Sequence, residues 1–124
     1  MTYLEKITYL TGNFIQLSQF TLKNAFRFIC LLDNKNRENA YTEQSDAGFV
    51  VAENKGLSLK DYQKLTFVLK KRDYIVSAFY LDNANQIATE EIAVYVSKIN
   101  ELQGYCDKAM ELNQNLVKEC DRLY

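Results

Sequence analysis

From Ile92 to Leu123 apolar residues return every three and four positions almost without a break. Counted as a heptad from Ile92, the a positions are Ile92, Ile99, Cys106, Asn113 and Cys120. The d positions are Tyr95, Leu102, Ala109, Leu116 and Leu123, and Asn113 is the one strongly polar member of the seam. Positions b, c and f from Ser97 onward are polar or small. The pattern predicts a helix about 50 Å long, at a rise of ~1.5 Å per residue, with one face meant for another helix.

A second pattern opens the chain. Thr2 followed three residues later by Glu5 has the form of a capping box. Tyr3, Ile7, Leu10, Phe14 and Leu17 then recur at 4-3-4-3 spacing, one stripe of a helix. After Leu17 the phase slips, and Leu22, Phe26, Ile29 and Leu32 form a new stripe. The segment predicts one helix of about 30 residues that turns a second face inward, or a kink near Gly12 or between Ser18 and Thr21. Phe14–Leu22 also alternates well enough for a strand, and periodicity cannot type the short apolar run Phe26–Leu32. An α+β fold with a small hairpin in 14–52 is therefore the structural alternative.

Residues 33–39 read as a polar connector. Ala40, Gln44, Ala47 and Val51 suggest a short helix over 40–54 ending at Gly56, although 48–52 suits a strand equally. Ser58 with Asp61 is a second capping box, ahead of Leu59, Tyr62, Leu65, Leu69, Val76 and Phe79 at helical spacing. Residues 82–86 read as a turn. Thr89 with Glu90 and Glu91 then starts the heptad helix, its carboxylates at the positive end of the helix dipole.

Composition supports this outline. The chain of 124 residues has the length of one domain, 1–124, and its 48% hydrophobic content is too high for a disordered chain. It has no Pro and only four Gly, so few breaks are enforced and helix is the default. The fold class predicted is all-α, a small helical bundle with a long C-terminal heptad helix. Richness in Tyr and Asn without Pro or His points to a bacterial or phage composition.

The absence of His removes Ser–His and Cys–His dyads and His-ligated metal sites. No Gly-rich phosphate loop, nucleophile elbow or metal-ligand spacing is present, so no cofactor and no catalytic residue is assigned. Cys30, Cys106 and Cys120 form no CxxC pair and each falls on an apolar face, which predicts buried reduced thiols. The opening residues lack a signal-peptide pattern and no apolar run approaches the ~18 residues of a membrane span. A cytoplasmic protein without membrane contact is expected.

Formal charge is −1 overall. Residues 57–83 hold five basic and three acidic groups, and residues 84–124 hold four and seven. These opposite segments suit pairing within one fold. Lys70, Lys71 and Arg72, with Lys60 and Lys64 upstream, form the only basic cluster. Lys64, Lys70, Lys71 and Arg72 are the candidate contact residues for an acidic partner or a phosphate backbone; the plainer reading is a solvated face paired with the acidic last helix. Tyr3, Tyr62 and Tyr95 lie on apolar stripes, where packing is a plainer role than base stacking. Asp107 and Glu111, one turn apart, read as solvated surface.

Geometry favours self-association. A helix over 89–123 is about 52 Å long and one over 58–82 about 37 Å, which leaves seam uncovered around Leu116, Cys120 and Leu123. A second chain or the long first helix must cover it. Asn113 at an a position favours another copy of the same helix, since a buried Asn there bonds its symmetry mate and sets register. The e positions Val96, Met110 and Val117 widen the stripe beyond a two-stranded seam, as an intramolecular bundle requires. The expected self-association set is Ile92, Ile99, Leu102, Cys106, Ala109, Asn113, Leu116, Cys120 and Leu123, as a homodimer. The function expected is that of a non-enzymatic protein–protein interaction module (adaptor, inhibitor or assembly factor). The alternative is a nucleic-acid-binding dimer using the basic face of 60–72.

Overall fold

The computed structural model describes residues 1–32, 57–88 and 91–123. The helix expected over 40–54, its strand alternative at 48–52 and the Thr89–Glu90 start lie outside them. Among the described residues every element is an α-helix: α1 (Tyr3–Leu32), α2 (Leu59–Ser77), α3 (Phe79–Ala88) and α4 (Ile92–Leu123). The all-α bundle with a long last helix is the fold. The hairpin alternative fails over 14–32, which is continuous helix.

Both caps form as their spacing predicts. The Glu5 amide donates to Thr2 Oγ1 at 3.1 Å and the Thr2 amide to Glu5 Oε1 at 3.4 Å, a reciprocal capping box. The Asp61 amide donates to Ser58 Oγ at 3.1 Å, which starts α2.

The apparent phase slip in α1 has a simple origin. The buried stripe does not leave its line after Leu17 but passes through Ser18 and Thr21, both fully buried. Each hydroxyl is satisfied on its own helix: Ser18 Oγ donates to the Ile15 carbonyl at 2.7 Å and Thr21 Oγ1 to the Leu17 carbonyl at 2.8 Å. Small hydroxyl residues so bonded are buried at little cost, and α1 runs through without interruption.

One local expectation is corrected. The turn foreseen at 82–86 is helix, and the break falls at Ala78, where φ −136° and ψ −18° leave the helical region. Asn83 explains the shift. Its buried side chain donates to the Phe79 carbonyl at 2.7 Å and to the Tyr74 hydroxyl at 3.1 Å, pinning α3 across the break to the end of α2. Asn83 is a turn-forming residue, but its side-chain bonds serve the helix.

The pairings set the topology. Tyr3 stacks on Tyr95, Asn13 reaches Cys106, Thr21 reaches Ala109 and Asn24 bonds Asn113, so α1 and α4 run parallel over their whole length. Lys64 meets Glu111 while Phe67 meets Tyr105, so α2 runs antiparallel to α4. The short α3 closes the N-terminal half of α1 through Tyr80, whose hydroxyl lies 3.0 Å from Thr11 Oγ1. The result is an up-down-up three-helix bundle with α3 as a strap. One core, built around Phe14, Ile29, Leu65, Phe79, Leu102, Leu112 and Leu116, joins all of it. Among the described residues no helix is long and apolar enough to cross a membrane.

Candidate partner-binding cleft between α2 and α4

The α4 seam is occupied from within the chain. Leu102, Cys106, Ala109, Leu116 and Cys120 are buried, while Asn113 is half-buried and Ile99 and Leu123 pack at the edge of the core. Ile92 alone of the expected set stays largely exposed, at 63%. With 30 residues α1 nearly matches the 32 of α4, so it covers the stretch that a comparison with α2 alone leaves open. The half-buried Asn113 finds its partner in Asn24 of α1, not in a symmetry mate. Two further positions, Tyr105 and Leu112, are buried toward α2, so α4 buries a face wider than a two-stranded seam. Val96, Met110 and Val117, taken as the residues that widen the stripe, are exposed instead.

The basic cluster splits along the helix. Lys60, Lys64, Phe67 and Lys71 are spaced by four, three and four, within one stripe, whereas Lys70 and Arg72 lie ~100° to either side of Lys71. Lys64 Nζ pairs with Glu111 Oε1 at 2.5 Å. Lys71 Nζ sits over the rings of Tyr105 (5.1 Å), Phe67 (5.6 Å) and Tyr74 (5.8 Å). Arg72 pairs with its neighbour Asp73 at 3.4 Å, and Lys70 points to solvent. Of the four candidates, then, Lys64 and Lys71 share a surface and Lys70 and Arg72 do not.

Lys64, though not Lys71, lines a cleft of about 370 Å³ between α2 and α4, together with Lys60, Gln63, Phe67, Lys108 and Glu111. Phe67 forms its apolar base, stacked edge-on against Tyr105 at 5.8 Å, with Phe14 beyond at a similar distance. Lys108 Nζ lies 4.1 Å from the Phe67 ring centroid, a cation–π contact that holds the charge at the rim. Three lysines and one carboxylate thus line the cleft. The Lys64 hydrogen bond and charge, helped by Lys60, hold Glu111 below the usual carboxylate range.

Behind the cleft, the Tyr105 hydroxyl donates to Glu101 Oε1 at 2.5 Å. Burial, then the Glu101 bond and charge, push its ionisation far above the ordinary tyrosine range, so it stays a neutral donor. Cys106 and Cys120 are buried thiols whose ionisation burial pushes up. That environment opposes the thiolate a nucleophile needs. Asp107 accepts from Gln103 at 3.0 Å on the surface. Among the described residues no group of three His, Cys, Asp or Glu is placed to hold a metal ion.

The sequence pattern singles out Lys60 and Lys64 of this cleft; it reads Glu111 as solvated surface and misses Lys108 and the role of Phe67. Their signal was present: positions 101, 105 and 108 of α4 recur at four and three, a second stripe beside the heptad seam. No family model, no characterised protein and no solved structure matches this chain.

Proposed function

We propose that this chain is a non-enzymatic protein–protein interaction module that docks an acidic segment of a partner in the α2–α4 cleft. The observation that carries the reading is the constellation of Lys60, Lys64 and Lys108 around Phe67, with Glu111 as their one lining counter-charge. A carboxylate-rich segment satisfies the excess positive charge, and an apolar side chain on it rests against the lysine stems and the part of Phe67 left exposed between them. Nucleic acid is served less well by the same surface. Stacking needs an open ring face, and Lys108 and Lys71 already lie over the rings here.

Magnitudes limit what the cleft does alone. Exposed ion pairs contribute ~0.2–1 kcal/mol each. Burying the little apolar surface that half-buried Phe67 still exposes adds only about 1–1.5 kcal/mol. After the cost of association such a contact is weak, so a lasting complex uses more surface than this cleft or several copies of it.

Selection from a multivalent random-peptide display library tests the reading. Enrichment of Asp and Glu flanking one aromatic or aliphatic residue is expected, with binding lost in a Lys60→Glu/Lys108→Glu variant. Binders without acidic residues, or binders indifferent to that variant, would contradict it. A parallel titration with single-stranded DNA separates the nucleic-acid alternative, which predicts tight binding that falls steeply with salt.

A further inference from the structure

Glu111 stands in the α2–α4 cleft where an incoming anion would stand. The helices run antiparallel, with Lys64 bonded to Glu111 and Lys108 over the Phe67 ring, so their levels match pair by pair. Lys60 lies one turn before Lys64, and Lys108 stands at the level of Phe67. The three lysines are thus spaced over about 10 Å of cleft at ~1.5 Å per residue, with Lys64 in the middle. Glu111 pairs with that middle lysine at 2.5 Å, and the Lys60 charge reaches the same carboxylate. Among the described residues no ion pair joins Lys60 or Lys108. The bonded partners differ in exposure: Lys64 keeps 15% of its side chain accessible and Glu111 keeps 56%. Glu111 therefore swings into water at little cost, whereas the partly desolvated Lys64 ammonium needs an anion beside it.

A partner's carboxylate gains little at this position. It exchanges one monoanion on Lys64 for another, and the pair lost offsets the pair gained. A phosphate monoester differs, because it carries about −1.5 to −2 charges at neutral pH and three acceptor oxygens. Its charge matches the net +2 of the three lysines and one carboxylate that line the cleft. Lysine stems are long and rotatable, so an anion on Lys64 is within their reach from either side. Charge-assisted bonds of this kind are about twice as strong as neutral ones. A phosphodiester, with one charge per phosphate, matches less well. We propose, on the reading of this cleft as a site for an acidic partner segment, that its preferred anion is a phosphate monoester borne by that segment, which displaces Glu111 from Lys64.

Fluorescence anisotropy with three labelled peptides tests it. Each is rich in Asp and Glu with one Phe, and carries serine, glutamate or phosphoserine at one central position. The phosphoserine peptide is expected to bind about ten-fold more tightly than the glutamate peptide, the gain of one charge-assisted hydrogen bond. Glu111→Gln should tighten phosphoserine binding a further ~3-fold by removing the competitor. Lys60→Glu/Lys108→Glu should lose both peptides; if it unfolds, Lys60→Gln/Lys108→Gln replaces it, with the phosphoserine preference lost. Equal affinities for the phosphoserine and glutamate peptides overturn the phosphate assignment and leave the acidic-segment reading standing. Phosphoserine binding that Glu111→Gln leaves unchanged or weakens overturns the displacement. Inorganic phosphate that competes at the phosphopeptide's own concentration marks a site for the free ion and overturns a partner-borne group. Failure of all three peptides to bind removes this proposal and the acidic-segment reading together.

Discussion

Asn24 of α1 donates its side-chain amide to Asn113 Oδ1 of α4, and the pair sits half-buried in the parallel interface. An Asn in an otherwise apolar seam fixes register because its partner must be opposite. Here that partner is in the same chain. Replacing Asn113 by Ala should cost about 1–3 kcal/mol, since it leaves the Asn24 amide without its acceptor. Changing both residues to Leu should recover most of the loss. Urea unfolding of the two single variants and the double variant measures the coupling; additive losses would show that the two amides do not depend on each other.

The two lysines adjacent in sequence should behave differently. Lys70 is exposed, and Lys70→Glu should move stability by no more than ~0.5 kcal/mol. Lys71 lies over three rings and near Tyr105, so Lys71→Glu should cost about 1–2 kcal/mol from lost cation–π contacts. Thermal melts of the two variants decide it, and equal midpoints would contradict the placement of Lys71.

Much of this architecture is legible in the pattern of apolar residues, and the failures are physical. Capping residues marked the starts of α1 and α2, because the side chain that ends the helix is adjacent in sequence. The continuous burial of α1 was hidden where Ser18 and Thr21 carry the stripe. A hydroxyl bonded to its own helix counts as polar in a pattern and as neutral in a core. The pairing of α4 with α1 was ambiguous, since a heptad states that a partner exists without naming its chain. Of the cleft, the α2 lysines were visible. Lys108 was not, because its place over Phe67 depends on how α4 is rotated against α2.

Glycine at positions 12 and 104 offers a gain in stability. A Cβ at either site meets nothing within 4 Å, and both residues lie inside helices. Gly12→Ala and Gly104→Ala should each stabilise by about 0.5–1 kcal/mol through helix propensity and add when combined. A fall in the thermal midpoint of either variant would mean that the helix is interrupted there.

Stability should decline in alkali. Burial raises the ionisation of Cys106 and Cys120 in the folded chain above its unfolded value. Above the usual thiol pKa of about 8.5 the unfolded chain releases protons that the folded chain retains, so unfolding is favoured as pH rises. Glu111 acts at the other end. Lowered by Lys64, its contribution is present above the ordinary carboxylate range and fades as pH falls through its folded value. Denaturant midpoints from neutral pH to pH ~10 should fall for wild type and fall less for Cys106→Ala/Cys120→Ala, each read relative to its own neutral value. Identical slopes would show that other groups govern the alkaline limb.

Backbone amide NMR reads the α2–α4 cleft residue by residue. A peptide rich in Asp and Glu with a single Phe, titrated into labelled protein, should shift the signals of Lys60, Gln63, Lys64, Phe67 and Lys108 together. The Lys60→Glu/Lys108→Glu variant should show no response, with the rest of its spectrum unchanged. No shift at these residues on saturation with the peptide, or a response confined to another face and retained in the variant, would contradict the account.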